Sequence, residues 1–304
     1  MPKTVLISGA NGYFGGIACR YFQAQGWQVL KASRQTGADL VIDLDQPARL
    51  EQQQLSAPAD LFIHAAAAHE VTCREQPYRS ISQNVAGTRA ALEFCRRNQI
   101  AKFVYLSTFH VFGNPQGVID ETSQPQPVND YGLSHLQAEE YVRLYAQQHG
   151  IQGLVVRPSN FFGIPADIDR CHRWTLTPLA FCRDAVEQRQ IVLKTPGYQQ
   201  RNFIAVEDLC AAIAAAIDHR DRLPLLHVAG PETLSIRALA QRVQRVMAQL
   251  GQPIELHLPA GQPLPAQFTY TSRYLDKIYS PQRSIDPFLQ DFCQILSQRL
   301  VSIV

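Results

Sequence analysis

Apolar residues recur along the first half of the chain in short flat runs separated by amphipathic stretches. Residues 4–8 form the first run. Gly9-Ala10-Asn11-Gly12-Tyr13-Phe14-Gly15-Gly16 follows, then an amphipathic segment to about Gln25 and a second apolar run over residues 27–32. Strand, glycine turn, helix and strand in that order make a βαβ unit. Residues 40–42 and 61–64 read as further buried strands, both flat runs of aliphatics. Residues 80–98 read as a helix with Ile81, Val85, Leu92 and Phe94 on its inner stripe. A strand over 103–107, a long helix over 131–149 and a strand over 154–157 continue the alternation. Strands alternating with helices predict a parallel, doubly wound sheet.

The pattern changes after Arg157. Residues 158–197 hold four prolines and alternate less regularly. Residues 208–218 form an alanine-rich helix, 226–228 a last short strand, and 235–250 an amphipathic helix that Ser235 can cap. The proline- and glycine-rich stretch 251–265 reads as loop, and 287–304 as a final helix. The expected architecture is α/β: a doubly wound parallel sheet with a smaller C-terminal α/β substrate domain. The division is 1–157 plus about 202–229 for the first part, and 158–201 plus about 230–304 for the second.

Composition narrows the function classes. The chain has 304 residues, 46% hydrophobic and 18% charged, with a formal net charge of +2. No basic tract stands out, so nucleic acid is not an expected partner. The longest apolar runs, such as residues 61–68, fall far short of the about 20 needed to cross a bilayer, so no membrane association is expected. Met1-Pro2-Lys3 leads into a strand pattern without the marks of a signal peptide. The seven cysteines include no CxxC pair and no ligand-like spacing. Buried thiols in a reducing, cytoplasmic setting are expected, and no metal.

Gly9, Gly12 and Gly15 fall directly after a strand and before a helix. Glycine serves three ends there: a tight turn, close approach of backbone N–H groups to a pyrophosphate, and close packing of helix on strand. The positive end of the helix dipole then faces the phosphates. The reading is a Rossmann site for a nicotinamide dinucleotide, lined by Gly9, Asn11, Gly12, Tyr13, Phe14 and Gly15. The second strand ends in Ser33-Arg34, with Lys31 nearby, where an NAD-preferring site commonly carries an acid. A small hydroxyl beside a guanidinium suits a 2′-phosphate, because charge-assisted forks are strong. NADP(H) is therefore expected ahead of NAD(H). The other reading of Arg34 is a solvated charge stacked on adenine. Asp43 and Leu44, after the third strand, are candidate adenine contacts, Asp43 being otherwise a loop acid.

Seven segments, in their order and spacing, resemble the extended short-chain dehydrogenase/reductase (NAD-dependent epimerase/dehydratase) family over about residues 4–208. They are Gly9-Ala10-Asn11-Gly12-Tyr13-Phe14-Gly15, Asp60-Leu61-Phe62-Ile63-His64-Ala65-Ala66, Asn84-Val85-Ala86-Gly87-Thr88, Leu106-Ser107-Thr108-Phe109-His110-Val111-Phe112-Gly113, Tyr131-Gly132-Leu133-Ser134-His135, Arg157-Pro158-Ser159-Asn160-Phe161-Phe162-Gly163 and Arg201-Asn202-Phe203-Ile204-Ala205-Val206-Glu207-Asp208. The short connection between the second and third strands, and the Ser-Thr-x-x-Val-Phe run, look most like dTDP-4-dehydrorhamnose reductases. They are also similar to the regulatory β subunit of methionine adenosyltransferase, a relative that binds NADP. The resemblance implies that Thr108 bonds the substrate oxygen and that Tyr131 is the acid/base. It implies cofactor contacts at Ala65, Ala66 and Ala67. Asn160 and Arg201 would hold a substrate diphosphate, or else tie the small domain to the sheet.

One position departs from that family. Its Tyr-x-x-x-Lys pattern stands here as Tyr131-Gly132-Leu133-Ser134-His135. Residues four apart share a helix face, so His135 is expected beside Tyr131 and the cofactor ribose. A histidine is mostly neutral at neutral pH. It can hydrogen-bond a ribose hydroxyl or relay a proton, but it stabilises a phenolate much less than an ammonium does. Reduction, which needs a protonated tyrosine, suffers least. His110 is a candidate substitute acid or substrate ligand, or a loop histidine bonded to backbone. Phe109 and His110 stand where the dehydratase branch carries Asp-Glu, which disfavours water elimination. His69 lies in a loop expected to face the site and is a candidate substrate contact. The expected function is NADP(H)-dependent reduction of the 4-keto group of a nucleotide-linked deoxysugar. The alternatives are a non-catalytic NADP-binding regulatory subunit, a nucleotide-sugar epimerase, or an enzyme of a smaller carbonyl compound. A homodimer through the helices 80–98 and 131–149 is a further expectation, although Arg89, Arg96 and Arg97 make one face basic. The aromatic cluster Phe268, Tyr270 and Tyr274 has no assigned role.

Overall fold

The structure is a computed structural model that describes residues 2–219, 223–262 and 268–303. Seven parallel strands form the main sheet: β1 (Thr4–Ser8), β2 (Gln28–Ser33), β3 (Leu40–Val41), β4 (Leu61–His64), β5 (Lys102–Leu106), β6 (Gln152–Pro158) and β7 (Leu225–Val228). Their spatial order is β7-β6-β5-β4-β1-β2-β3. The crossovers run one way from β1 to β3 and the other way from β4 to β7, so the order reverses between β1 and β4. Open α/β sheets bind ligands in a crevice at such a reversal, outside the carboxyl ends of the strands.

The flat apolar runs make strands because alternate residues leave opposite faces and both faces are covered. Val5, Ile7, Leu61, Ile63, Val104 and Val156 enter one apolar cluster, and Leu6, Phe62, Phe103, Tyr105 and Val155 enter the other. The first cluster packs under the helices Tyr13–Ala24 and Val206–Ile217. It continues without a break into the helices Thr177–Glu187, Ile236–Gln249 and Ile285–Ile303. The second packs under the helices Gly87–Arg97 and Asp130–His149.

Outside the main sheet, Gln200–Ala205 is the central strand of a three-stranded sheet, parallel to Asn160–Phe162 and antiparallel to Glu232–Ser235. Ser235 accepts a 3.0 Å hydrogen bond from the Ala238 N–H and caps the helix Ile236–Gln249, as its position suggests. Two sheets of two strands each, Gln190–Val192 with Glu255–His257 and Gly117–Ile119 with Phe268–Tyr270, also lie outside the main sheet.

Several expectations need correction. The stretch 251–265 is not all loop, because Glu255–His257 pairs in register with Gln190–Val192; its last residues, 263–265, lie outside the described residues. Val41 is 44% exposed, since β3 is a two-residue edge strand. Ile81 is 55% exposed rather than on an inner stripe. The reason is local: Ser80–Ala86 is a π-helix, and the helix turns to α only at Gly87. The wider turn shifts the face that a 3.6-residue period would bury. Arg89 pairs with Glu51, and Arg96 and Arg97 share Glu93, so two carboxylates offset most of the charge of the three arginines and the face stays weakly basic.

Candidate active site

The phosphate cradle follows from two glycines. Gly9 sits at φ +69°, and a Cβ there would meet Ala65 and Ala66 backbone atoms at 3.2 Å. A Cβ on Gly15 would come within 2.1 Å of the Gly9 carbonyl oxygen. Only glycine lets the turn, the alanine loop and the helix approach so closely. Gly12 caps the twelve-residue helix Tyr13–Ala24 without offering a side-chain acceptor. The first N–H groups of that helix therefore face the crevice free for an anion. These features fit a dinucleotide pyrophosphate.

The side chains around the cradle have distinct duties. Tyr13 is buried and its hydroxyl donates 2.8 Å to the Gly163 carbonyl, so only its backbone faces the crevice. Phe14 is also core. Asn11 donates to Ser33 Oγ at 3.0 Å and to Gln35 Oε1 at 2.9 Å. Arg34 is exposed and forms no ion pair among the described residues, because the nearby Asp45 is taken by Arg79 at 2.5 Å and Gln83 at 2.7 Å. Asp43 accepts from the Asp45 N–H within its own turn, and the Leu44 side chain is core against Gly87.

β4 and the loop after it form the next wall. The Ala65 and Ala66 N–H groups each donate to Ser8 Oγ at 3.1 Å, while Ala67 is exposed. Ser8 Oγ also lies 2.8 Å from His64 Nδ1. With two N–H groups already donating to it, the hydroxyl gives its own proton to Nδ1. His64 is buried, neutral, and pushed down to about 3 by that burial. His69 caps the helix Glu70–Glu75, its Nδ1 accepting from the Val71 and Thr72 N–H groups at 3.2 and 3.4 Å.

Tyr131 lies in the first turn of the helix Asp130–His149, whose start is fixed by Asn129 accepting 2.9 Å from the Gly132 N–H. Gly132 admits the short helix Phe109–Phe112, since a Cβ there would meet the His110 carbonyl oxygen at 2.5 Å. Thr108 caps that short helix through the His110 N–H at 3.2 Å. Tyr131, Thr108 and His110 are thus brought together. The His110 ring stands 5.8 Å from that of Tyr131, and the His135 ring 4.6 Å, both edge-on. Burial raises the Tyr131 pKa; the Arg173 charge opposes this, Glu70 reinforces it, and a hydrogen-bonding contact with Thr108 opposes it. The phenol stays protonated at neutral pH.

His135 is 2% exposed, and burial pushes its pKa down to about 3. Its Nδ1 is 2.7 Å from the Tyr105 hydroxyl. Its Nε2 is buried without a partner among the described residues. A bound hydroxyl is one way to satisfy such an atom.

On the substrate side, Asn160 donates 3.1 Å to the Asn202 carbonyl, tying two strands of the small lobe. Arg201 is half-buried and meets only the Gln200 carbonyl, with no carboxylate pairing it among the described residues. Burial lowers its pKa.

Five positions carry more than the sequence indicated. Asn84, in the π-helix, accepts 2.6 Å from Ala68 N–H and donates 2.9 Å to Ser134 Oγ, locking the alanine loop to the Tyr131 helix. Glu139 and Arg157 form a buried pair at 2.5 and 2.9 Å that also receives the Ser107 hydroxyl. Tyr105 and Arg173 are the others. Tyr270 finds a role too: it is buried, donates 2.8 Å to the Arg157 carbonyl and stacks on His227. Among the described residues no His, Cys, Asp or Glu group is placed to hold a metal ion, and no helix is long and apolar enough to cross a membrane.

Comparison with known proteins adds to this geometry. The model of the NAD dependent epimerase/dehydratase family matches residues 5–229. The dTDP-4-dehydro-6-deoxy-D-allose reductase of Streptomyces bikiniensis is 28% identical over 298 residues, covering 90% of this chain and 88% of that protein. The UDP-glucose 4-epimerase of Streptomyces lividans is 26% identical over 278 residues, covering 84% and 83%. Among solved structures, RMD from Pseudomonas aeruginosa complexed with NADPH superposes with a TM-score of 0.82 at 20% identity, covering 98% of this chain and 99% of that one. The UDP-glucuronic acid 4-epimerase from Bacillus cereus, in complex with UDP-glucuronic acid and NAD, gives 0.75 at 20% identity, covering 97% and 99%. These two likenesses concern the fold.

Proposed function

The chain belongs to the NAD dependent epimerase/dehydratase family, and on that premise we propose that it is an NADP(H)-dependent oxidoreductase that reduces the 4-keto group of a nucleotide-linked deoxysugar. The observation that carries the direction is Tyr131, a phenol held protonated beside a buried, neutral imidazole. In that state the proton is present to be given and the phenolate needed as a base is scarce, although the raised pKa makes the phenol a weaker acid than a free tyrosine. Epimerisation begins with an alcohol and needs the phenolate; no lysine ammonium stands four residues on to stabilise it.

The reduced nicotinamide supplies the hydride. Thr108 holds the carbonyl oxygen, and Tyr131 gives that oxygen its proton. His135 Nε2 would meet a ribose hydroxyl. The backbone of Gly9, Asn11, Gly12, Tyr13, Phe14 and Gly15 would hold the pyrophosphate, and Ala65, Ala66 and Ala67 the dinucleotide, with Asp43 and the Leu44 backbone at the adenine. Arg34 and Ser33 would receive the 2′-phosphate, since Arg34 forms no ion pair among the described residues and the nearby Asp45 is held by Arg79 and Gln83. Arg201, a cation that no carboxylate pairs among the described residues, suits a diphosphate, and Asn160 would orient it from the adjoining strand. His110 and His69 border the sugar. The residues 158–201 and 230–304 form the substrate lobe over the sheet. Similarity to a curated keto-sugar nucleotide reductase supports this substrate class.

The test is NADPH consumption with a panel of nucleotide-linked 4-keto-6-deoxysugars, beside Tyr131→Phe and His135→Lys. Turnover that Tyr131→Phe abolishes supports the reductase. NADPH binding without turnover, and activity appearing only in His135→Lys, supports the second reading, a regulatory subunit that keeps the dinucleotide as a ligand. The missing ammonium is what favours that reading. A homodimer through the helices Gly87–Arg97 and Asp130–His149 belongs to the same proposal, and light scattering tests it.

A further inference from the structure

The Tyr105 hydroxyl and His135 Nδ1 are 2.7 Å apart, 30 residues distant in sequence, and both side chains are almost fully enclosed, at 1% and 2% exposure. Tyr105 sits on β5, two residues before the strand runs into Ser107 and Thr108; His135 sits one turn after Tyr131 on the facing helix. The phenol has no access to substrate. It reaches the site only through the imidazole ring, whose other nitrogen, Nε2, is buried, unpartnered and beside Tyr131.

We infer that Tyr105 is a positioning residue: by donating its proton to His135 Nδ1 it fixes the imidazole as the Nε2–H tautomer, so that a neutral ring presents a hydrogen-bond donor where relatives with lysine present an ammonium. This rests on the proposed dinucleotide site and deepens it. Burial keeps both groups uncharged, so each carries one proton and the bond between them admits two arrangements. Two arguments favour the phenol as donor. A separation of 2.7 Å is the usual length of a bond donated by a hydroxyl and the short end of the range for a ring N–H. A neutral phenol is the better donor and a neutral imidazole nitrogen the better acceptor.

Thr88 is the competitor. Its hydroxyl proton is already given to the Asn84 carbonyl at 2.6 Å, so towards Tyr105 it offers only lone pairs. Were the phenol to donate there, Nδ1 would carry the proton and Nε2 would become an acceptor. The two tautomers make opposite demands on a bound ribose: the first gives a hydrogen bond to a hydroxyl oxygen, the second takes one. Only the first reproduces the donor role of an ammonium. It does so without charge, which leaves Tyr131 protonated and matches reduction.

The measurement is nitrogen-15 NMR of histidine-labelled protein at neutral pH, without cofactor or substrate, with His135 assigned by the signal missing from His135→Gln. The expected result is a protonated Nε2 and an unprotonated Nδ1, with that preference lost in Tyr105→Phe. In NADPH turnover, Tyr105→Phe lowers kcat about tenfold, the rate equivalent of one hydrogen bond, and changes KM less than about twofold. A protonated Nδ1 in the native protein, or an unchanged tautomer in Tyr105→Phe, overturns the inference. If Tyr105→Phe does not fold, 3-fluorotyrosine substitutes: its more acidic phenol must move the His135 Nδ1 resonance, and a resonance that stays put overturns the inference equally. The tautomer is read with no turnover, so a protein that reduces no keto sugar would sink the reductase and leave this result standing.

Discussion

Arg173 donates a 2.8 Å hydrogen bond to Glu70, and this pair joins the segment leading into the helix Thr177–Glu187 to the helix that follows the alanine loop, beside the Tyr131 phenol. Thr175 adds a 3.0 Å bond to the same carboxylate. The two charges act on Tyr131 in opposite senses, Arg173 lowering its pKa and Glu70 raising it. Glu70→Gln frees the cation, so the Tyr131 pKa falls. Arg173→Ala leaves the carboxylate uncompensated, so it rises further. Reduction needs the protonated phenol and is lost as pH rises through its pKa. The alkaline limb of the kcat profile therefore moves to lower pH in Glu70→Gln and to higher pH in Arg173→Ala. Limbs that move the other way would refute the electrostatic role given to the pair.

The proposed preference for NADP(H) rests on Arg34. Arg34→Ala is expected to weaken NADPH binding about tenfold or more while leaving NADH nearly unchanged. Fluorescence titration of both cofactors gives the ratio directly. Equal losses for the two would mean that Arg34 stacks on adenine instead of meeting a phosphate.

Gly15→Ala and Gly26→Ala separate the cradle from backbone strain. A methyl at Gly15 collides with the Gly9 carbonyl, whereas Gly26, at φ +79°, has open space around it. Gly26→Ala should cost about 1–2 kcal/mol of stability through its left-handed conformation and leave cofactor affinity intact. Gly15→Ala should lose dinucleotide binding. Denaturant unfolding paired with cofactor titration tells the two apart.

Three buried histidines contribute to the loss of stability in acid, beside carboxylates such as Asp45, Glu93 and Asp218 whose pKa is lowered. Burial brings His64 and His135 from 6.5 down to about 3, and His227 down to about 4. Each is neutral in the folded chain and charges on unfolding. Their contribution is therefore complete above 6.5 and is lost as pH falls towards the folded-state values. Near pH 5 the unfolded state binds close to three more protons, a slope of about 4 kcal/mol per pH unit. Urea midpoints measured across that window should fall steeply, and a His64→Gln, His227→Gln double variant that folds should show a shallower fall.

Much of this was legible in the sequence. The strands are flat apolar runs with both faces covered, the glycine triplet follows one directly, and Tyr131 and His135 share a helix face by spacing alone. What escaped the sequence depends on partners far apart along the chain. Tyr105 occupies a strand position that any apolar residue could fill, and nothing nearby reveals that its hydroxyl meets residue 135. Glu70 and Arg173 are 103 residues apart, in two segments that show no period. The π-turn at Ser80–Ala86 broke the assumed helical period and exposed Ile81. His69 carries the pattern of a ligand, yet its ring holds its own helix.

The first apolar cluster runs from the sheet through to the helix Ile285–Ile303, with Phe162 packed on Phe288 and Trp174 on Phe292. The lobe above the crevice is therefore no exchangeable cassette. Grafting that of a relative would cut across an interior shared with the helices Tyr13–Ala24 and Val206–Ile217, so a change of specificity disturbs the fold least at the rim, at residues such as Arg201.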